Sequence, residues 1–153
     1  MTSRRRTRET ALQFLFSYDL NRAKDFEEQL EDFCERFSVS RKSFPYFFKL
    51  VYGVKSRWKE IDELLAESSE HWKIRRMASV DRNIMRVAIF EMLYCEDVPA
   101  RVAINEAIEI GKRYGTENSS AFINGVLDRI NRKFGQGDNM VPESKSNPEQ
   151  DKE

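Results

Sequence analysis

The sequence has few cysteine, glycine, proline and histidine residues, and the scarcity of cysteine excludes a disulfide-stabilised fold. Of the 153 residues, two are Cys, six Gly, four Pro and one His. Cys34 and Cys95 form neither a disulfide framework nor a metal-binding spacing, so we expect two buried free thiols in a reducing cytoplasm. No apolar run approaches the roughly 20 residues that span a bilayer. The basic start gives way to polar residues too early for a signal peptide, and we expect none.

Signatures of catalysis and metal binding are also missing. The one histidine, His71, has no Cys or carboxylate at ligand spacing, whereas a metal site needs three or four converging ligands, so we expect an exposed side chain. There is no glycine-rich phosphate loop and no nucleophile elbow. Glu91 falls on the apolar side of a predicted helix, which predicts a buried partner and not a catalytic acid. The sequence therefore predicts a protein that is not an enzyme and has no cofactor or metal.

Neither sign of charge is in excess, because 26 basic residues balance 26 acidic ones. Total charge therefore does not predict a nucleic-acid-binding protein. The distribution is uneven, however, since residues 1–24 hold six basic and two acidic side chains, whereas residues 135–153 hold two basic and five acidic. The basic end is a local patch that the acidic end masks in the total.

What the sequence does contain is helical periodicity, with no alternating β-branched run. Six amphipathic helices are predicted at about residues 3–20, 26–37, 43–65, 79–94, 99–114 and 122–130. We expect Ser43 to cap the third, with Pro45 in its first turn, and Gly115 to stop the fifth.

These elements predict an all-α protein made of two packed three-helix bundles. The bundles would comprise about residues 3–68 and 72–134, within one domain over residues 1–134. Residues 135–153 have no periodicity and too few apolar groups to offset the entropy of ordering, so we expect a disordered acidic tail.

The segment "SRRRTRETALQFL", residues 3–15, places cations where a helix disfavours them. A helix N-terminus carries partial positive charge, so arginines in the first turn reduce stability. One interpretation is a frayed, solvated terminus. The other is an anion site, because guanidinium groups bind phosphate at two points and a helix N-terminus attracts anions. We favour the anion site, since the run continues into a well-formed amphipathic helix.

The type of polyanion follows less directly from the residues. No helix-turn-helix spacing is present that would place a helix in a major groove. Recognition of single-stranded RNA combines positive charge with stacking groups. Phe122 is a candidate stacking residue, although its spacing also fits the core of the last helix.

Four blocks of sequence, in order, resemble the bacterial NusB family: "RRRTRETALQFLFSYD", "VDRNIMRVAIFEMLY", "VPARVAINEAIEIGKRYG" and "FINGVLDRI". The resemblance covers roughly residues 4–131 and implies the same all-α, two-bundle fold. It also implies a cytoplasmic transcription antitermination factor that binds single-stranded boxA-type RNA together with NusE, a ribosomal protein of the small subunit. Such a complex joins RNA polymerase and promotes transcription of ribosomal RNA.

Position by position, the resemblance implies two sets of binding residues. Phe16 and Asp81 would contact NusE, and we expect Asp81 at the surface. The RNA-binding set would be Arg4, Arg5, Arg6, Arg8, Asn118 and Phe122.

Two other interpretations stay open at this point. The chain could be the RNA-binding domain of a ribosomal RNA cytosine methyltransferase, a class that carries a NusB-like domain. It could also be a helical protein-interaction module whose arginines serve a protein partner or solubility. The resemblance does not distinguish a monomer from a homodimer.

Overall fold

The computed structural model describes residues 3–69 and 74–134, and all regular structure in these ranges is helical. This confirms the all-α prediction. The predictions for His71 and for the tail at 135–153 lie outside the described residues. The helices are α1 (Arg4–Leu20), α2 (Phe26–Phe37), α3 (Pro45–Ser56), α4 (Trp58–Ser68), α5 (Ser79–Tyr94), α6 (Ala100–Tyr114) and α7 (Ser119–Phe134), with a short 3-10 turn at Ile74–Arg76.

The third predicted helix is in fact two helices. At Arg57 the backbone leaves the helical region, with φ −117° and ψ 22°, and this residue separates α3 from α4. The bend allows α4 to pack against both α5 and α7. Periodicity did not reveal the bend, because the buried positions Trp58, Ile61 and Leu65 continue the apolar spacing of α3 beyond it.

The predicted cap of α3 was wrong, whereas the prediction that Pro45 lies in its first turn is confirmed. Phe44 occupies the N-cap position and provides no side-chain hydrogen bond, while Pro45 begins the helix. Ser43 lies in the preceding turn, where its N–H donates to Oγ of Ser40 at 3.1 Å. Proline in the first turn needs no N–H acceptor and has its φ already set for a helix, which accounts for a start without a side-chain cap.

Helix α5 is the centre of the molecule. It packs against α1, α3, α4, α6 and α7, and every side chain from Ile84 to Met92 is buried. The sequence predicted only one apolar stripe on this helix. Contact with α3 is close because Gly53 has no side chain: a Cβ there would lie 2.1 Å from Cζ of Phe90.

Helix α1 is anchored by aromatic packing on the face that the sequence predicted to be buried. The ring of Phe14 makes edge contacts with Phe26, Phe33 and Phe47, at centroid distances of 5.5, 5.4 and 6.4 Å. Edge-to-face pairs of this kind add to the stabilisation from burial. The core packing of its apolar side therefore holds α1, and with it the arginine-rich first turn, in a fixed position.

A buried ion-pair network fixes the other end of α1 to α5. Arg86, 2% exposed, donates to Asp19 at 2.8 Å and to Asp62 at 2.8 and 2.9 Å. Arg82 donates to the same Asp19 oxygen at 2.6 Å. Because the C-terminal part of α1 meets the start of α5, the arginine-rich start of α1 lies beside the end of α5.

Candidate nucleic-acid interface

The first turn of α1 forms in spite of its charge. Ser3 is the N-cap, and its Oγ accepts the N–H of Arg6 at 3.1 Å. The first turn contains no acidic residue. Its three arginines, Arg4, Arg5 and Arg6, are exposed, and together we call them the arginine edge. No negative charge of α1's own first turn relieves its dipole, so the neutralising charge must come from elsewhere.

Part of that charge comes from helix α6. The Glu106 carboxylate accepts two hydrogen bonds from Arg5, from Nε at 2.6 Å and from Nη2 at 2.8 Å. These hydrogen bonds hold the pKa of Glu106 below its ordinary value, so the carboxylate stays ionised around neutral pH. The pair uses one edge of the guanidinium, and the Nη1 group of Arg5, with its two N–H donors, remains for another acceptor.

Arg8 is placed differently from the arginine edge. Its side chain is only 5% exposed, and its Nε lies 2.9 Å from a Glu91 carboxylate that is 1% exposed. Burial alone would lower the pKa of Arg8, but the hydrogen bonds and charge of Glu91 outweigh it and raise the pKa. The hydroxyl of Tyr46 also donates to Glu91. The prediction that Glu91 has a buried partner is thus confirmed.

Arg4 is surrounded by two residues of α3, Tyr46 and Lys49, and by Asp97 of the loop between α5 and α6. Its guanidinium lies over the ring of Tyr46, 3.7 Å from the centroid, and its Nη2 is 3.6 Å from Asp97. Lys49, on the same helix as Tyr46, is 4.0 Å from Asp97 and 5.9 Å from the Tyr46 ring centre. Arg6 is exposed and forms no ion pair within the described residues. Sequence reasoning missed Tyr46, Lys49 and Glu106, because only tertiary contact brings them to the arginine edge.

The second predicted RNA-facing element is the turn between α6 and α7, residues 115–118, which we call the α6–α7 turn. The side chain of Asn118 is exposed, and its backbone N–H donates to Oγ1 of Thr116 at 3.3 Å. Phe122, in the first part of α7, is partly buried and packs against the core. Gly115 is required here by close approach, because a Cβ would lie 2.3 Å from Oγ of Ser119.

The α6–α7 turn and the arginine edge lie at different heights along α1. Arg113, which precedes the turn, pairs with Glu9 at 3.2 Å. Ser119, the residue after the turn, donates a hydrogen bond to Asp81. The neighbour of Asp81, Arg82, forms an ion pair with Asp19 near the C-terminal end of α1. The turn therefore lies beside the part of α1 beyond Glu9, and a ligand that reached both elements would have to run along that helix.

The two predicted partner-binding residues have unequal access. Phe16 is partly exposed and lines a groove of about 340 Å³ together with Arg6, Val80 and Tyr114. Asp81, by contrast, is 7% exposed, and its Oδ1 accepts a hydrogen bond from Oγ of Ser119 at 2.7 Å. The expectation of a surface carboxylate was wrong, because the first turn of α7 packs over this position.

The described residues contain neither a metal-binding cluster nor a membrane-spanning helix. Within 3–69 and 74–134, no three His, Cys, Asp or Glu side chains are grouped so that they could hold a metal ion. Among the same residues, no helix is both long and apolar enough to cross a membrane. Cys34 and Cys95 are free thiols, as the sequence predicted, but only Cys95 is fully buried.

Comparison with known proteins gives a consistent result. The family model described as the NusB family matches residues 5–132. The transcription antitermination protein NusB of Desulfosudis oleivorans is 67% identical over 146 residues, which cover 94% of this chain and 95% of that protein. The protein of the same name from Desulfatibacillum aliphaticivorans is 48% identical, covering 89% of this chain and 94% of its own.

Solved structures have the same fold. NusB of T. maritima superimposes with a TM-score of 0.79 at 40% identity, over 88% of this chain and 94% of that one. A structure of antitermination factors NusB and NusE in complex with double-stranded RNA superimposes with a TM-score of 0.74 at 26% identity, over 86% and 97% of the two chains.

Proposed function

This chain belongs to the NusB family, and from that premise we propose that it is a cytoplasmic RNA-binding transcription antitermination factor. It binds boxA-type single-stranded RNA together with NusE and joins the RNA polymerase antitermination complex at ribosomal RNA operons. It acts by binding and not by catalysis. The observation that carries the proposal is the arginine edge, a row of exposed guanidinium groups at the N-terminus of a core-anchored helix.

The RNA-binding role divides among the arginines according to their exposure. Arg4, Arg5 and Arg6 contact phosphate, because their guanidinium groups reach solvent. Arg8 does not contact RNA but holds the arginine edge in position, because its hydrogen bonds to Glu91 fix the start of α1 to α5. Asn118 and Phe122 contact the RNA farther along α1. Each phosphate contact with single-stranded RNA contributes about 0.7 to the salt slope, so the three exposed arginines predict a slope of about −2.

NusE binds the face that contains Phe16 and the groove beside it. Arg6 and Phe16 line the same groove, so the RNA surface and the partner surface are adjacent on α1. This adjacency suits a factor that binds RNA and protein at once. The methyltransferase interpretation is not favoured, because the relatives that match over most of the chain's length are antitermination proteins.

Fluorescence anisotropy with labelled boxA-type RNA tests the proposal. We expect tighter binding of boxA-type RNA than of a scrambled RNA, a further gain when NusE is added, and weakening at higher salt. Arg5→Ala should weaken binding and reduce the salt slope by about 0.7. Arg22→Ala is the matched control, since Arg22 lies 17 residues farther along the chain, just beyond the other end of α1. A duplex of the same sequence shows whether single strands are preferred. Equal affinity for boxA-type and scrambled RNA, with and without NusE, would contradict the proposal.

A further inference from the structure

Tyr46 lies against Arg4 of the arginine edge, at a position that phosphate binding does not explain. Its ring is half-buried at the start of α3, and the Arg4 guanidinium covers one face at 3.7 Å. Lys49 approaches the same ring at 5.9 Å. The two cations and the ring lie at the start of α1, where Arg5 and Arg6 follow Arg4 in the sequence. A flat aromatic surface among exposed cations is the combination that unpaired nucleobases bind.

We propose that Tyr46 is a stacking platform for one unpaired base of the bound RNA, and that Arg4 and Lys49 contact the flanking phosphates. The base takes the place on the ring that the Arg4 guanidinium occupies in the free protein. This inference rests on the proposed RNA-binding function, and it extends the interface from α1 onto α3.

Displacing Arg4 from the ring is easy because its other contact is weak. The Nη2 of Arg4 is 3.6 Å from Asp97, beyond the distance of a charge-assisted hydrogen bond, and the two side chains are 49% and 59% exposed. Exposed ion pairs of this kind contribute little. A base stacked on an aromatic ring binds more strongly than an exposed cation over the same ring. The freed guanidinium can then reach the phosphate beside the stacked base.

The hydroxyl of Tyr46 is anchored in the core, so the ring has a defined orientation. The Tyr46 hydroxyl donates to Glu91, which is buried and also bound to Arg8. Burial, reinforced by the hydrogen bond to Glu91, raises the pKa of Tyr46, so the hydroxyl stays protonated and keeps donating. The hydroxyl thus fixes the orientation of the ring, while the ring face provides the contact. These two roles predict different effects for two substitutions.

Binding of a single-stranded oligonucleotide that carries 2-aminopurine separates the roles. Tyr46→Phe keeps the ring and loses the hydroxyl, and we expect RNA affinity within about twofold of wild type. Tyr46→Leu loses the ring, and we expect about tenfold weaker binding, in line with the loss of one stacked base. Stacking quenches 2-aminopurine, so quenching should persist with Tyr46→Phe and disappear with Tyr46→Leu.

Tyr52→Leu is the matched control. Tyr52 is another tyrosine of α3 with an arginine nearby, Arg41, but it packs against Phe26 of α2 and donates to Glu27, away from the arginine edge. We expect its RNA affinity to equal that of wild type. Melting curves of all variants show whether each is folded at the assay temperature.

A crosslinking measurement on the unmodified protein keeps the inference testable if Tyr46→Leu fails to fold. Ultraviolet crosslinking of 5-bromouridine RNA to wild type, mapped by mass spectrometry, should give adducts on the peptide that contains Tyr46. Three outcomes would overturn this inference but not the proposed function. They are an RNA affinity of Tyr46→Leu equal to that of wild type, an RNA affinity of Tyr46→Phe as low as that of Tyr46→Leu, and crosslinks only outside this peptide. Failure of wild type to bind any RNA would overturn the proposed function as well.

Discussion

Glu106 holds the guanidinium of Arg5 by two hydrogen bonds of 2.6 and 2.8 Å, so the centre of the arginine edge is already bound to a carboxylate. A phosphate that approaches Arg5 meets a guanidinium with only part of its donors available and a negative charge behind it. The same carboxylate lies 3.5 Å from Nη1 of Arg8. We therefore expect Glu106 to compete with RNA for the arginine edge.

Glu106→Gln should tighten RNA binding, because it removes the competing charge and keeps an oxygen that can accept hydrogen bonds. A unit charge about 6 Å from a phosphate, partly screened, predicts roughly a three- to tenfold change at low salt, diminishing as salt rises. Anisotropy at two salt concentrations measures this. The gain should be smaller when Arg5→Ala is present as well, since the part that comes from freeing Arg5 is then lost and only the direct repulsion between the carboxylate and the phosphate remains.

Glu109→Gln is the control for a general loss of negative charge. Glu109 is on the same helix, 46% exposed, and pairs with Lys112 at 3.2 Å. We expect a smaller gain from it than from Glu106→Gln. Weaker RNA binding by Glu106→Gln would show that the carboxylate orients Arg5 for RNA and does not compete with it.

Arg8→Ala should destabilise the fold, because it leaves the buried Glu91 without its cation. Removing one partner of a buried pair lowers the free energy of unfolding by about 3 kcal/mol. Urea unfolding measures the loss, and Arg6→Ala, at an exposed position two residues earlier, should leave the unfolding midpoint unchanged. A variant at Arg8 that unfolds like wild type but binds RNA poorly would place this arginine in the RNA interface directly.

Stability should fall in acid partly through Asp19. Burial alone would raise the pKa of Asp19, but hydrogen bonds and charges from Arg82, Arg86 and Asn83 outweigh it and hold the pKa below its ordinary value. A carboxyl group with a lowered pKa in the folded state stabilises the protein above its unfolded pKa of about 3.9. That contribution is lost as the pH falls through the folded value.

Asp19→Asn should therefore be less stable than wild type at pH 7, and the difference should shrink as the pH falls below about 4. Urea unfolding at a series of pH values follows the two proteins. Asp32→Asn, at an exposed position on α2, should track wild type throughout. A difference between Asp19→Asn and wild type that stays constant down to pH 2 would show that the charge of Asp19 contributes nothing to stability.

Most helices could be predicted from periodicity, and the exceptions have physical causes. Helix α5 was predicted with its observed bounds, Ser79–Tyr94, because a clear apolar stripe marks it. The break at Arg57 was missed, since the chain bends there without a glycine, a proline or a change in apolar spacing. A bend that is set by packing against other helices leaves no local signal.

The sequence predicted which arginines form the candidate binding surface, but it did not predict which carboxylates they pair with. Arg8 stands three residues before Ala11 and seven before Leu15, on the buried stripe of α1, so its burial could have been read from the sequence. The position of Glu91 on its own apolar stripe was noticed. That these two misplaced charges meet could not be deduced, because they are 83 residues apart. The same holds for Arg5 with Glu106.

The proposed NusE-binding face can be tested with substitutions at Phe16 and Asp81, which should differ in their effect on thermal stability. Phe16→Ala should weaken association with NusE, because it removes a partly exposed ring beside the groove, and it should leave the melting temperature nearly unchanged. Calorimetric titration of NusE and thermal melting measure the two effects. Wild-type affinity for NusE in Phe16→Ala would remove this residue from the interface.

Asp81→Lys should lower the melting temperature, so its loss of NusE binding would not by itself identify a contact. Asp81 is in the first turn of α5, and its hydrogen bond to Ser119 places it at the first turn of α7 as well. Two helix N-termini therefore converge on one carboxylate, which both stabilise. A lysine there would place an ammonium group against two partial positive charges and break the bond to Ser119. Asp81→Asn, which can still accept that bond, should melt closer to wild type and is the variant in which to measure NusE affinity. A melting temperature of Asp81→Lys equal to that of wild type would contradict this placement.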